Sequence, residues 1–390
     1  MTTRFLVMLV AIAWLATPSL AQQKVKIGFI TTLSGSQAAI GQDMRDAVEL
    51  ALDHLGRKMA GLPVEVIYED DTFKPDVGKQ KSEKLVQQDQ VHFVTGYIWS
   101  NVLLASLKTV VEDGDTFLIS ANAGPSQIAG EQCHKNFFST SWQNDQTPMA
   151  MGELLNQRNI QKIYVMAGNY AAGKDMLAGV QQTFKGQIVG QELTRWPDQL
   201  DFSAELSKAR AAKPDAIFAF YPGGAGVQFV TQYVQAGLKG QIPLYTAFTI
   251  DDLSLPRLKD LAVGVPGAEE WVNDLPNPTN QKFVADYRAK YNAAPSFYGA
   301  QTYDAVGLID SAITAVKGDL SNKEGMRKEM EKANFKSVRG NFKFGNNHIP
   351  IQNFYLQDAV KNSDSSYSLH TVATIVKDDQ DRFHDRCSMK

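Results

Sequence analysis

Cysteine is almost absent from this chain, which carries two, Cys133 and Cys387, in 390 residues. Neither stands beside a plausible base, and no G-x-S-x-G occurs, so an acyl-transfer enzyme would lack its activated nucleophile. Histidine is scarce as well. His54, His92, His134, His348, His370 and His384 are scattered, with no H-E-x-x-H and no paired spacing, so no metal site is expected. No excess of either charge exists: 39 basic against 42 acidic residues leave −3. That balance gives no footprint for nucleic acid or an anionic membrane. Beyond the first residues no apolar run reaches 18, and there is no low-complexity tract or short-period repeat.

What is present begins with a leader. Residues 1–21 read as a signal peptide: Arg4 as basic flank, Phe5–Ala16 as apolar core, Pro18 as breaker, and Ser19-Leu20-Ala21 as a small-x-small cleavage site. The core is too short for the roughly 20 residues of a membrane span, and no Cys follows the cleavage site for lipidation. The mature chain of 369 residues is too long for one core and suits two lobes. It is expected in the periplasm. In such an oxidising compartment Cys133 and Cys387 are expected to pair; two unpaired thiols are the alternative.

Strand-like and helix-like segments then alternate. KVKIGFI leads through Thr31, Thr32, Ser34, Gly35 and Ser36 to a helix over 41–55. Exposed amides at such a strand–helix turn suit an anion. PVEVIYED, VHFVTG and TFLIS continue the series, with helices near 76–88 and 101–111. A second series begins near Trp142, with strands QKIYVMA, QIVGQEL, DAIFAFY and IPLYTAF and helices near 147–156, 173–184, 202–212 and 226–236. The turn-rich stretch 273–280 reads as a linker. Helices over 281–291, 299–316 and 323–332 and β-like segments follow it. Repeated βα units imply α/β architecture with parallel sheets, and ligands of such sheets sit beyond the carboxyl ends of the strands.

Several features at those ends admit a plain reading. Gly223-Gly224-Ala225-Gly226 looks like a phosphate turn, but Phe229 fails the glycine pattern and no Walker lysine follows. Its glycines let backbone approach a ligand or tighten the turn. Asp70-Asp71 reads as a polar turn or hinge-side cluster rather than a catalytic pair. Tyr97, Trp99, Tyr170, Trp196, Tyr221 and Phe248 all fall at strand ends, where they could wall a ligand or serve as ordinary core.

The segments IGFITTLSGSQAAIGQDMRDAVELALD, YEDDTFKPDVGKQKSEKLV, VTGYIWSNVLLA, ISANAGPSQIAG, NYAAGKD, DFSAEL and YDAVGLIDSAI occur in this order. Together they resemble the periplasmic receptors of branched-chain amino acid type ABC transporters, similar to the leucine/isoleucine/valine-binding protein. The resemblance covers the whole mature chain. It implies the type I periplasmic binding protein fold: two parallel-sheet lobes joined by a three-segment hinge, lobe I over 24–142 plus 273–345 and lobe II over 143–272 plus 346–390. It also implies a monomer that closes on a ligand and docks on membrane permease subunits, with no enzymatic chemistry, cofactor or metal.

The resemblance assigns the ligand carboxylate to Ser100 and to the 120–124 loop, with Asn122, Ala123 and Gly124 in contact. Ser36, Gln37 and Ile40 come from the first loop. Tyr97, Trp99, Tyr170, Arg195, Tyr221, Gly223 and Phe248 complete the expected site. One departure bears on the ligand. Where amino acid receptors of this family place an acid for the α-ammonium, this chain has Ala247 and Phe248, and Asp251 comes a few residues late. A buried ammonium without an anion is costly. Aromatic walls with Arg195 fit an aromatic carboxylate, benzoate-like or hydroxycinnamate-like. A branched-chain or other amino acid is the alternative within the class. Outside it stand an exported sensor feeding a membrane signalling partner and a ligand-responsive regulator, the latter opposed by the leader and the lack of a DNA-binding head.

Overall fold

A computed structural model describes residues 23–389. The leader at 1–21 lies outside the described residues. The first half begins with β1 (Val25–Thr31), α1 (Ala38–His54), β2 (Lys58–Met59), β3 (Leu62–Asp70), α2 (Pro75–Glu83) and β4 (Phe93–Gly96). It continues with α3 (Ser100–Lys108), β5 (Phe117–Ser120), α4 (Ser126–Ala129) and β6 (Phe137–Ser139). Its sheet has the order β2-β3-β1-β4-β5-β6, parallel except for the β2–β3 hairpin.

The second unit runs through α5 (Gln146–Gln157), β7 (Lys162–Gly168), α6 (Ala171–Thr183), β8 (Gln187–Thr194), α7 (Ser203–Ala211) and β9 (Ala216–Phe220). It proceeds to α8 (Gly223–Gln235), β10 (Leu244–Ala247), α9 (Leu255–Leu258) and β11 (Gly267–Glu269). The chain then returns to the first lobe as α10 (Pro278–Tyr291), α11 (Phe297–Ala315) and α12 (Lys323–Lys332). It ends in the second as β12 (Gln352–Lys361) and β13 (Tyr367–Asp379). This sheet has the order β13-β12-β11-β10-β9-β7-β8, with β12 and β13 antiparallel. The architecture is α/β in two lobes.

The elements form for local reasons. In α1, Met44, Ala47, Val48, Ala51 and Leu52 are buried at three- and four-residue spacing, the stripe a helix lays on a sheet. Val25, Ile27, Phe29 and Ile30 of β1 are buried, as in a strand covered on both faces. Burying each such side chain contributes about 1.5–3 kcal/mol. Helices α1, α6 and α8 start two to three residues earlier than their sequence suggests, because small residues that read as loop form the first turn against the opposite lobe. The β2–β3 hairpin and the length of the β12–β13 ribbon are not evident from sequence pattern.

Between β6 and α5, between β11 and α10, and between α12 and β12 the chain crosses from one sheet to the other. The residues after β13 then return to the first lobe. Cys133 and Cys387 form a disulfide across a sequence separation of 254. Nearby, Asn347 Nδ2 donates to the Ala129 carbonyl at 2.8 Å and to Asp381 Oδ2 at 2.9 Å. Among the described residues no helix is long and apolar enough to cross a membrane.

Candidate ligand-binding site

In each sheet the strand order reverses once at the centre, between β1 and β4 in the first and between β7 and β9 in the second. Crevices open at such switch points, beyond the strand carboxyl ends. The two crevices face each other around a small space between the lobes. The first lobe contributes Ile98 and Ser100 after β4, Asn122 and Ala123 after β5, and Tyr298 from the start of α11. The second contributes Tyr170 and Ala172 after β7, Phe220 at the end of β9 with Pro222 after it, and Phe248 after β10. Trp142 and Asn144 come from the first crossover.

The electrostatics of this space come from backbone. Ser100 begins α3, Ala172 lies in the first turn of α6, and Pro222 caps α8. Three helix N-termini therefore meet the cavity, each placing free amides and the positive end of its dipole there. The wall residues include no acid and no base. Burial holds the Tyr170 and Tyr298 hydroxyls protonated, well above the usual phenol range, with Asp175 acting in the same direction on Tyr170 and Asp251 on Tyr298. Both can therefore donate. The Trp142 indole N–H is buried without a partner among the described residues. Its ring stacks on Phe248 at 4.2 Å between centroids.

One polar chain fixes the Ser100 side. Asn144 Nδ2 donates to Ser100 Oγ at 3.1 Å and to Asp175 Oδ2 at 2.9 Å. Asp175 also accepts from Ser126 N at 3.2 Å and Ser126 Oγ at 3.0 Å. Burial, with Asp145 adding to it, pushes the Asp175 carboxyl up to about 6 against those hydrogen bonds.

An aromatic bridge seals the rim. The Tyr170 and Trp196 rings stack at 5.1 Å, Trp99 lies 5.9 Å from Trp196 and 6.3 Å from Tyr170, and Phe73 lies 4.3 Å from Trp99. Trp99 Nε1 donates to Thr32 Oγ1 at 2.8 Å, and that hydroxyl donates to Asp71 Oδ1 at 2.5 Å. Asp70 Oδ1 accepts from the Leu33 N–H at 2.9 Å. Asp70 and Asp71 thus build the turn that orients Trp99.

Of the residues expected from sequence, Ser100, Asn122, Ala123, Tyr170 and Phe248 stand together in the wall, and Trp99 is at the rim. The others lie elsewhere. The Tyr97 hydroxyl pairs with Ser82 at 2.7 Å inside the first lobe, and the Tyr221 hydroxyl donor Thr194 lies 3.2 Å away inside the second. Both rings are fully buried core, because each strand-end backbone turns its side chain back onto its own sheet. Arg195 is exposed rather than walling the cavity. Gly124 makes room for backbone: a Cβ there would lie 1.9 Å from the Trp142 carbonyl oxygen. Gly223 adopts φ +62°, and a Cβ on it would lie 2.1 Å from Gln37 Oε1. Gln37 Oε1 accepts from Gly224 N at 3.4 Å, with Ile40 and exposed Ser36 beside it, so this group bridges the lobes outside the cavity. Sequence reasoning missed Ile98, Trp142, Asn144, Ala172, Phe220, Pro222 and Tyr298 as wall residues. Trp142 and Asn144 sit on a crossover with no strand-end signal, and Tyr298 comes from a helix far along the chain.

Asp251, the late acid, is buried outside the wall. Its Oδ1 accepts from Ser254 N at 2.7 Å, its Oδ2 has no partner among the described residues, and burial pushes it up to about 6. Among the described residues no group of three or more His, Cys, Asp and Glu is placed to hold a metal ion.

Known proteins share this architecture. The family described as periplasmic binding protein matches residues 24–364. The Leu/Ile/Val-binding protein homolog 6 of Brucella melitensis is 27% identical over 382 residues, spanning 94% of this chain and 95% of that protein. An ABC transporter solute binding protein from R. palustris, solved in complex with benzoate, superposes with a TM-score of 0.88 at 28% identity, covering 94% of this chain and 100% of that one. A solute binding protein from Rhodopseudomonas palustris BisB5, solved with 3,4-dihydroxybenzoic acid, gives 0.82 at 27% identity, over 91% and 98%.

Proposed function

This chain belongs to the periplasmic binding protein family, and we propose that it is the periplasmic receptor of an ABC importer for a small aromatic carboxylate. The observation that carries this reading is the cavity itself: three helix N-termini to receive an anion, a wall of rings, and no acid to receive an ammonium. The benzoate and dihydroxybenzoate complexes of the two similar solute binding proteins agree with this class. The leader delivers the protein to the periplasm, the lobes close on the acid, and the closed form presents it to permease subunits. No covalent step is needed. A ligand that favours the closed state shifts the population toward it.

A second reading, an amino acid receptor, draws on Asp251. One of its carboxylate oxygens has no partner among the described residues, it acts electrostatically on the Tyr298 hydroxyl, and the Brucella relative is named for leucine, isoleucine and valine. Thermal shift of ligand-stripped protein separates the two. At 100 times its Kd a ligand that binds only the folded state adds about 2.7 kcal/mol. Benzoate, 4-hydroxybenzoate or p-coumarate should raise the midpoint while leucine and valine do not. A shift with leucine or valine alone transfers the assignment to amino acids.

A further inference from the structure

Two buried acceptors in the wall are left without donors. Asn122 Nδ2 donates to the Ile98 carbonyl at 2.7 Å, and Asn144 Nδ2 donates to the Asp175 carboxylate at 2.9 Å. A carbonyl and an ionised carboxylate only accept, so these contacts fix which end of each amide is nitrogen. The oxygen ends are thereby assigned as well. Asn122 Oδ1 and Asn144 Oδ1 are both buried with no partner among the described residues. Their residues are 5% and 1% exposed, and both line the cavity.

An unpaired buried acceptor is costly, and each group that could meet it has a different consequence. A ring edge offers no hydrogen bond. A carboxylate is itself an acceptor and is repelled. An ammonium could donate, but the wall holds no anion to balance its charge. A neutral hydroxyl fits. It also suits the neighbouring Ser100, whose Oγ already accepts from Asn144 Nδ2, leaving its proton free to donate. A ligand hydroxyl can take that proton and give its own to Asn144 Oδ1.

We propose, building on the aromatic-acid reading, that the ligand carries a hydroxyl besides its carboxylate and that Asn144 Oδ1 is the acceptor that selects it, with Asn122 Oδ1 open to a second donor. A site built to hydrogen-bond a hydroxyl discriminates strongly against the analogue lacking it, because its polar groups are then left unpaired.

The test is calorimetric titration of ligand-stripped protein with benzoate, its three monohydroxy isomers and the matching fluorobenzoates, alongside cinnamate, 4-hydroxycinnamate and 4-fluorocinnamate. Fluorine keeps the size and removes the donor. One hydroxylated acid should bind at least about tenfold more tightly than its parent and its fluoro counterpart. Asn144→Ala should lower that preference to about threefold or less. Parent acids that bind as tightly as every hydroxylated one overturn this inference and leave the aromatic receptor standing. Binding of leucine with no aromatic acid binding overturns both. The fluoro comparison needs no variant, so a misfolded Asn144→Ala protein does not remove the test.

Discussion

Asp175 on α6 of the second lobe grips Ser126 at the start of α4 in the first, one carboxylate oxygen on the backbone N–H at 3.2 Å and the other on the hydroxyl at 3.0 Å. The same carboxylate holds Asn144, and Asn144 holds Ser100. A single side chain therefore links a contact between the lobes to the orientation of a cavity hydroxyl.

Asp175→Ala should weaken ligand binding by about tenfold, because hydrogen bonds to a charged group are worth about 1.5–3 kcal/mol and their loss is partly offset by removing a buried charge. The change should fall on the dissociation rate, since the contact forms only when the lobes meet. Stopped-flow tryptophan fluorescence reads it directly. An unaltered off-rate would remove the contact from the closure mechanism.

Trp196 and Tyr221 distinguish rim from core. Trp196→Ala removes a half-buried ring that bridges to Tyr170, Trp99 and Phe73, and aromatic pairs are worth about 0.5–1.5 kcal/mol each. Affinity should fall by about tenfold. Tyr221→Phe deletes a hydroxyl bonded to Thr194 inside the second lobe, so it should cost about 1 kcal/mol of stability and leave Kd unchanged. Titration and urea unfolding of both variants give the comparison.

The Cys133–Cys387 bond closes a loop spanning 254 positions. In the chain-entropy model a loop of this length restricts the unfolded chain by roughly 5 kcal/mol, an upper value since strain and residual structure reduce it. The double serine variant should unfold at clearly lower urea than the oxidised protein, and added reductant should shift the wild type but not the variant.

Stability should rise as pH falls from about 8 to 6.5. Burial, reinforced by Asp251 and Glu270, holds the Glu269 carboxyl well above its ordinary range, and burial pushes Glu270 up to about 7. In this window the folded protein keeps protons that the unfolded chain has released, so lowering pH favours the fold. Below it, His54, His92, His134 and His348 oppose the trend, since burial lowers each and the unfolded chain then binds the extra protons. Glu269→Gln should shrink the difference in melting temperature between the two pH values, measured by calorimetry. An undiminished difference would rule out Glu269 as its source.

The part of the site readable in the sequence is the part carried by strand ends. Ser100, Asn122, Tyr170 and Phe248 follow apolar runs directly, and a parallel sheet delivers such residues to one crevice. Tyr97 and Tyr221 follow apolar runs in the same way, yet their side chains return to the core. Which way a turn residue faces depends on one or two backbone angles, such as φ +60° at Tyr97, that no residue pattern encodes.

The sequence by itself determined the repeated βα units and the pairing of elements into two sheets, because alternation of apolar runs and amphipathic helices leaves few ways to cover both faces. Tertiary structure decided which residues meet. Trp142 and Asn144 on a crossover and Tyr298 on α11 come to one cavity only in the folded chain, and the unpaired oxygens of Asn122 and Asn144 exist only once their amide nitrogens are spent on Ile98 and Asp175. Hydrogen-bond satisfaction is a property of positions in space, and residues 122, 144 and 175 are neighbours only in the fold.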